Sequence, residues 1–196
     1  MPKLKDILYG VSIREVVGST DVDFNRLQTD SRKVDAGDCF IAVHGTTTDG
    51  HQYINQCLEQ GAFVIICEEI PAETSDDVTY VRVENSSKAL GVMASNYYGN
   101  PSHSLKLVGV TGTNGKTSTV TLLFNLFRKM GKKAGLLSTV QNQVNDEVIP
   151  STHTTPDAIS LNKLMKQVLM DQLYHCLKRN KHDSSTELFL YQFQSQ

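Results

Sequence analysis

With 39% apolar and 20% charged side chains in 196 residues, the chain has the make-up of a soluble globular protein of one large or two small domains. Nineteen basic against 21 acidic residues leave a formal charge of −2, which excludes a whole-chain attraction to nucleic acid or to an anionic membrane. The opening MPKLKDIL resembles no signal peptide and nowhere do ~18 apolar residues run together, so no membrane insertion is expected and the cytoplasm is the expected compartment. Cys39, Cys57, Cys67 and Cys176 form no CxxC and have no zinc-site spacing to the histidines; they read as buried free thiols.

From Cys39 to Glu68 the text runs strand (CFIAV), turn (HGTTTDG), helix (HQYINQCLEQ), Gly61 and strand (AFVIICE), a βαβ-like unit that implies a parallel sheet. A further strand begins at Val78 (VTYVRV). Asn85 or Ser86 then caps a helix with Leu90, Met93, Ala94 and Tyr97 on one side. Gly, Asn and Pro crowd into Tyr98–Ser102, which puts a domain boundary near residue 100.

A second unit follows: strand 105–110, loop 111–115, a helix from Lys116 to about Met130 and strand AGLLST. Val120, Leu123, Phe124 and Phe127 recur at helical spacing as a buried stripe. The cations Arg128, Lys129, Lys132 and Lys133 suit the helix C-terminus and read as a solvated face. VQNQV and EVI around Asn145-Asp146 read as a hairpin. Thr155-Pro156-Asp157 reads as a helix start with a capping hydroxyl, proline at the first position and an acid in the first turn. Leu161, Leu164, Met165, Val168 and Leu169 make that helix's core face.

An apolar strand, a Gly-containing turn and Gly-Lys-Thr opening an amphipathic helix form the context of a phosphate-binding loop, here Thr111-Gly112-Thr113-Asn114-Gly115-Lys116-Thr117. Gly112 and Gly115 allow backbone angles that turn successive amides toward the phosphates of ATP, and the helix N-terminus adds its partial positive charge. Lys116 is the point charge for the β- and γ-phosphates, and the Thr117 hydroxyl is the expected Mg2+ contact, with Ser118 beside it. The loop is a variant, because Val110 stands where the standard spacing has its first glycine.

A GTPase is disfavoured: Asn180-Lys181-His182-Asp183 follows a polar basic segment, and no Asp has Gly three residues later. An ordinary ATPase needs a strand ending in Asp downstream of the loop, and neither AGLLST nor LFLYQF ends so.

The form TGTNGKT resembles the Mur ligase family. So does the first half, where Asp30-Ser31-Arg32-Lys33-Val34, Gly37-Asp38-Cys39-Phe40-Ile41-Ala42-Val43, Gly45 and Asp49-Gly50-His51 follow the opening signature of the two members that add the third residue and the terminal dipeptide. His153-Thr154-Thr155-Pro156-Asp157 is similar to the third-residue members. The resemblance implies an α/β chain: an N-terminal UDP-binding domain over 1–99, a truncated P-loop, Rossmann-like ATPase domain over 100–170, and a tail over 171–196 that does not match the family.

It also implies ATP and Mg2+, with Lys116 as the catalytic residue, acting as a monomer on a UDP-N-acetylmuramoyl-dipeptide and an amino acid, diaminopimelate or lysine. The substrate carboxylate would be activated as an acyl phosphate that the incoming amine attacks. Carried over as substrate-binding are Ser31, Thr46, Thr47, Thr48, His153, Thr154 and Thr155. Each has a plainer reading: Ser31 as a turn serine, the three threonines as solvent-facing loop hydroxyls, Thr154 and Thr155 as helix caps, His153 as an exposed loop residue. After Asp171 the expected family text is replaced by QLYHCLKRNKHDSSTELFLYQFQSQ, for which a frameshift or premature stop is the expectation. A second sheet of two parallel strands and a hairpin would leave apolar faces uncovered, each exposed Leu or Val forgoing ~1.5–3 kcal/mol, so the second domain is expected to be partly open and this chain inactive alone. The competing reading is a non-catalytic nucleotide or UDP-sugar binding module.

Overall fold

Apolar runs too continuous for a one-sided sheet dictate the first unit. In a computed structural model, which describes residues 1–45, 48–149, 157–179 and 188–192, the strands β3 (Cys39–Ile41) and β4 (Val64–Cys67) are buried at every position, as central parallel strands covered on both faces must be. Before them come the short helix α1 (Leu4–Ile7), β1 (Ile13–Val17) and β2 (Leu27–Gln28); after them come β5 (Thr79–Val83) and α3 (Ser86–Tyr97), with α2 (Ile54–Glu59) between β3 and β4. The five strands lie in the order β1-β5-β4-β3-β2, parallel except for the antiparallel edge strand β1. Ile54 and Cys57 of α2 close over Phe40, Ile65, Cys67 and Tyr80.

Asn85 caps α3 as expected, its side-chain oxygen accepting the Lys88 amide at 2.8 Å, and Leu90, Met93 and Ala94 of the expected face are buried. Burial pushes the thiols of Cys57 and Cys67 up to about 11, leaving inert packing groups.

Units Met1–Tyr97 and Tyr98–Gln196 separate as compact bodies. The second contains β6 (Lys106–Val110), α4 (Lys116–Lys129), β7 (Ala134–Leu137), β8 (Asn142–Val144), β9 (Glu147–Ile149), α5 (Ala158–Arg179) and β10 (Leu188–Gln192). The expected stripe on α4 is present: Val120 and Phe124 are buried, with Leu123 and Phe127 packed beside them. Met165 and Val168 of α5 cover Leu105, Leu137 and Val144.

Three expectations need correction here. The sheet is not limited to two parallel strands and a hairpin: β10, from the tail, lies between β6 and β7 and runs parallel to both, giving the order β6-β10-β7-β8-β9. Two open ladder edges with unpaired N–H and C=O groups accept an apolar, aromatic strand such as LFLYQ, and Leu190 becomes fully buried in the α4 core. The helix α5 runs on into the tail, to Arg179. Asp157 is not an acid within its first turn but the cap itself, accepting the Ser160 amide at 2.7 Å, because a short carboxylate reaches the orphan amide two to three residues on. Arg128 is no solvated cation: it grips both oxygens of Asp146 at 2.7 Å and donates to Lys132 O, pinning the hairpin turn to the end of α4.

Candidate functional site

The strand β6 delivers the chain to the loop 111–115, and α4 leaves it. Val110, which replaces the usual first glycine, is still in the sheet, level with Gln192 of β10. The turn therefore begins after it, and no positive φ is needed at that position. Gly112 at φ 148° and Gly115 at φ 76° take backbone angles that L side chains rarely adopt. A Cβ at Gly115 would meet nothing within 4 Å, so it is the backbone angle and not crowding that favours glycine there.

The first intrahelical bond of α4 runs from the Thr119 amide to Gly115 O at 2.9 Å. The amides of Lys116, Thr117 and Ser118 precede it, in the turn where a helix concentrates its partial positive charge. Lys116 does not point into the protein interior. Its ammonium folds back over the loop, donating to the carbonyl of Gly112 and, at 3.3 Å, to that of Thr113. Gly112, Thr113, Asn114, Gly115, Lys116, Thr117 and Ser118 thus share one turn, with a mobile-length cation over carbonyls that a phosphate would replace.

Strand β10 bears on the Mg2+ expectation. It is the neighbour of the loop strand and sets Gln192, not an acid, level with Val110. Of the donor set that would hold Mg2+ beside ATP, Thr117 is of the right type, and the described residues of β10, Leu188–Gln192, offer no carboxylate.

The remaining candidates are apart in sequence. Ser31 opens a 3-10 turn, Ser31–Lys33, behind Asp30, whose carboxylate accepts the Arg32 amide. It is 9% exposed, so it is not an ordinary solvent-facing turn hydroxyl. Thr48 is exposed in the loop after β3. Thr46, Thr47, His153, Thr154 and Thr155 lie outside the described residues. Ser31 and Thr48 follow the carboxyl ends of the parallel strands β2 and β3, where open α/β sheets expose ligand-binding crevices.

A cluster that sequence reasoning did not single out as a site stands at the same loop. His44, Asp49 and His51 bring their donor atoms within 4.8 Å of one another, with the two imidazole rings stacked at 4.4 Å. The available signal was two histidines and an aspartate flanking one Gly-containing loop.

Fold and loop together define a two-unit α/β protein whose second unit carries a P-loop-type strand, turn and helix. Two family descriptions match in tandem, "Mur ligase family, catalytic domain" over residues 23–98 and "Mur ligase middle domain" over residues 110–177. The chain belongs to the Mur ligase family.

Among curated proteins it is 54% identical over 175 residues to the UDP-N-acetylmuramoyl-L-alanyl-D-glutamate–2,6-diaminopimelate ligase of Cytophaga hutchinsonii, covering 89% of this chain and 36% of that protein. It is 48% identical over 187 residues to the ligase of the same name from Bacteroides fragilis, covering 91% and 39%. The chain thus spans little more than a third of these relatives. A solved UDP-N-acetylmuramoyl-L-alanyl-D-glutamate–2,6-diaminopimelate ligase superposes with a TM-score of 0.70 at 20% identity over 97% of this chain and 35% of that one, a likeness of fold. A MurF ligase from Thermotoga maritima in complex with ADP matches at 30% identity and a TM-score of 0.51, over 85% and 31%. Among the described residues no helix is long and apolar enough to cross a membrane.

Proposed function

We propose that this chain is the substrate-holding and ATP-holding part of a ligase that adds the third residue to UDP-N-acetylmuramoyl-L-alanyl-D-glutamate. The observation that carries the reading is the glycine-shaped turn at Gly112–Lys116 with its ammonium folded over the loop carbonyls, in a chain about half identical to named diaminopimelate ligases. Those relatives favour diaminopimelate over lysine as the incoming amino acid. The second unit binds ATP and the first, at Ser31 and the loop ending in Thr48, binds the UDP end; Thr46, Thr47, His153, Thr154 and Thr155 complete the proposed contacts.

The chemistry asked of these residues is alignment and charge neutralisation. Lys116 leaves the Gly112 and Thr113 carbonyls for the β- and γ-phosphates, and the amides at the start of α4 hold the phosphate oxygens. Thr117 offers its hydroxyl to Mg2+, which when bound would neutralise phosphate charge. The substrate carboxylate takes the γ-phosphoryl group to give an acyl phosphate and ADP, and the amine of the amino acid then displaces phosphate to form the amide.

A second reading, binding without turnover, is favoured by Gln192, which offers no carboxylate in the strand beside the loop. Phosphate release on adding ATP, Mg2+, UDP-muramyl dipeptide and diaminopimelate separates the two, since turnover eliminates the binding-only reading. Thermal shift supplies the residue test: Lys116→Ala should abolish the shift produced by ATP·Mg2+ and leave that produced by the UDP-muramyl dipeptide. Loss of both, or of neither, would overturn the assignment of sites.

A further inference from the structure

The loop between β3 and α2 is closed by contacts that only this backbone path permits. The Gly45 amide donates to Thr48 O at 2.9 Å, the Gly50 amide donates to Val43 O at 2.9 Å, and His44 and Asp49 face each other as an antiparallel bridge. A Cβ at Gly45 would sit 2.8 Å from Thr48 O and one at Gly50 2.7 Å from Val43 N, so both glycines are required by close approach.

Asp49 ties this base together. One oxygen, Oδ1, accepts the His51 amide at 2.9 Å, lies 2.7 Å from His51 Nδ1 and 3.1 Å from His44 Nδ1. His51 is committed on its other side as well, because its Nε2 accepts the Glu68 amide at 2.8 Å at the end of β4. Glu68 in turn accepts the Ser86 amide at 2.8 Å and the Ser86 hydroxyl at 2.7 Å at the start of α3, and its Oε2 is 3.7 Å from His44 Nε2.

The spacing invites a metal, but the protons forbid it. A neutral imidazole whose Nε2 accepts a backbone N–H must carry its own proton on Nδ1, the atom a metal would need. Coordination there would demand an imidazolate or a broken bond to Glu68. The same proton is well used as a donor to Asp49, whose carboxyl is held below its ordinary range by the His51 amide and then by the His51 ring.

We propose that Asp49 is a positioning residue for the substrate: through His44 and His51 it holds shut the base of the Gly45–Thr48 loop and so fixes where Thr48 meets the UDP end of the ligand. The positioning role rests on the substrate reading given above, whereas the latch itself does not. Both can be measured on the full chain by amide hydrogen exchange at Gly45 and Gly50, by calorimetry with UDP and with ATP·Mg2+, and by titration with Zn2+.

In Asp49→Ala the two amides should exchange faster and the Kd for UDP should rise by about tenfold or more, with the Kd for ATP·Mg2+ unchanged. Asp49→Asn keeps an acceptor for the His51 amide and should restore most of both properties. His44→Ala, which leaves the His51 to Glu68 bond in place, gives an intermediate loss if Asp49→Ala fails to fold. Protected amides together with unaltered UDP affinity in Asp49→Ala and His44→Ala would overturn the latch. A latch intact by exchange in an unsubstituted chain that does not bind UDP would overturn the substrate reading and the positioning role with it. Stoichiometric Zn2+ binding that disappears in His51→Ala would overturn the proton assignment and make the cluster a metal site.

Discussion

Lys116 and Arg128 are both cations of α4, and their neighbours separate their roles. Among the described residues Lys116 donates to loop carbonyls and meets no carboxylate; Arg128 is consumed by Asp146. The glycines and lysine of the loop were legible in the sequence because a turn from strand to helix needs particular backbone freedom at fixed spacing. The partner of Arg128 was not, since it lies 18 residues away across a hairpin whose placement depends on the sheet.

Paired carboxylates at this scale contribute to the acid sensitivity of the protein. The ammonium of Lys3, joined by Lys5, holds Asp21 at about 2, and the Arg32 guanidinium does the same to Asp30. A pKa lowered in the folded state makes a stabilising contribution that is complete above the ordinary carboxylate value and is lost as pH falls through the folded one. The melting temperature should therefore hold above about pH 4 and fall toward pH 2, and Asp30→Asn should remove part of that fall. A melting temperature flat from pH 4 to pH 2 would contradict the ion pairs.

Elements were readable where one face repeats. The stripes of α3, α4 and α5 follow from helical spacing alone, because burial requires an apolar side every third or fourth residue. The hairpin of β8 and β9 follows from its two-residue turn, and the structure supplies the rest of the explanation. Asn145 takes φ 53° and its Oδ1 accepts the Ala134 amide at 3.0 Å, joining the turn to β7. Asn145→Ala combines left-handed strain with an unsatisfied buried amide and should cost about 2 kcal/mol, read from urea unfolding; Asn145→Gly should cost less, as it relieves the strain. Equal losses in the two would mean that the backbone angle contributes nothing.

On the scale of the whole molecule the tail decides the second sheet. Leu190 lies against Val120, Phe124, Ala134 and Leu136, so Leu190→Ala should cost ~2–5 kcal/mol. Exchange in β6 and β7 should rise while β3 and β4 remain protected. Unchanged protection in β6 and β7 would show that β10 is dispensable to the sheet.

The amino-acid sequence alone determined that there are two α/β units, where the Gly-Lys turn between β6 and α4 lies and which faces of the helices are apolar, because each rests on local spacing and backbone chemistry. Tertiary structure alone decided that LFLYQ is a central strand, that Ser31 is buried, that Arg128 closes a turn and that His44, Asp49 and His51 converge. Those outcomes depend on which distant segments share a hydrogen-bonded ladder or a buried surface, and no periodicity within a segment encodes its partner.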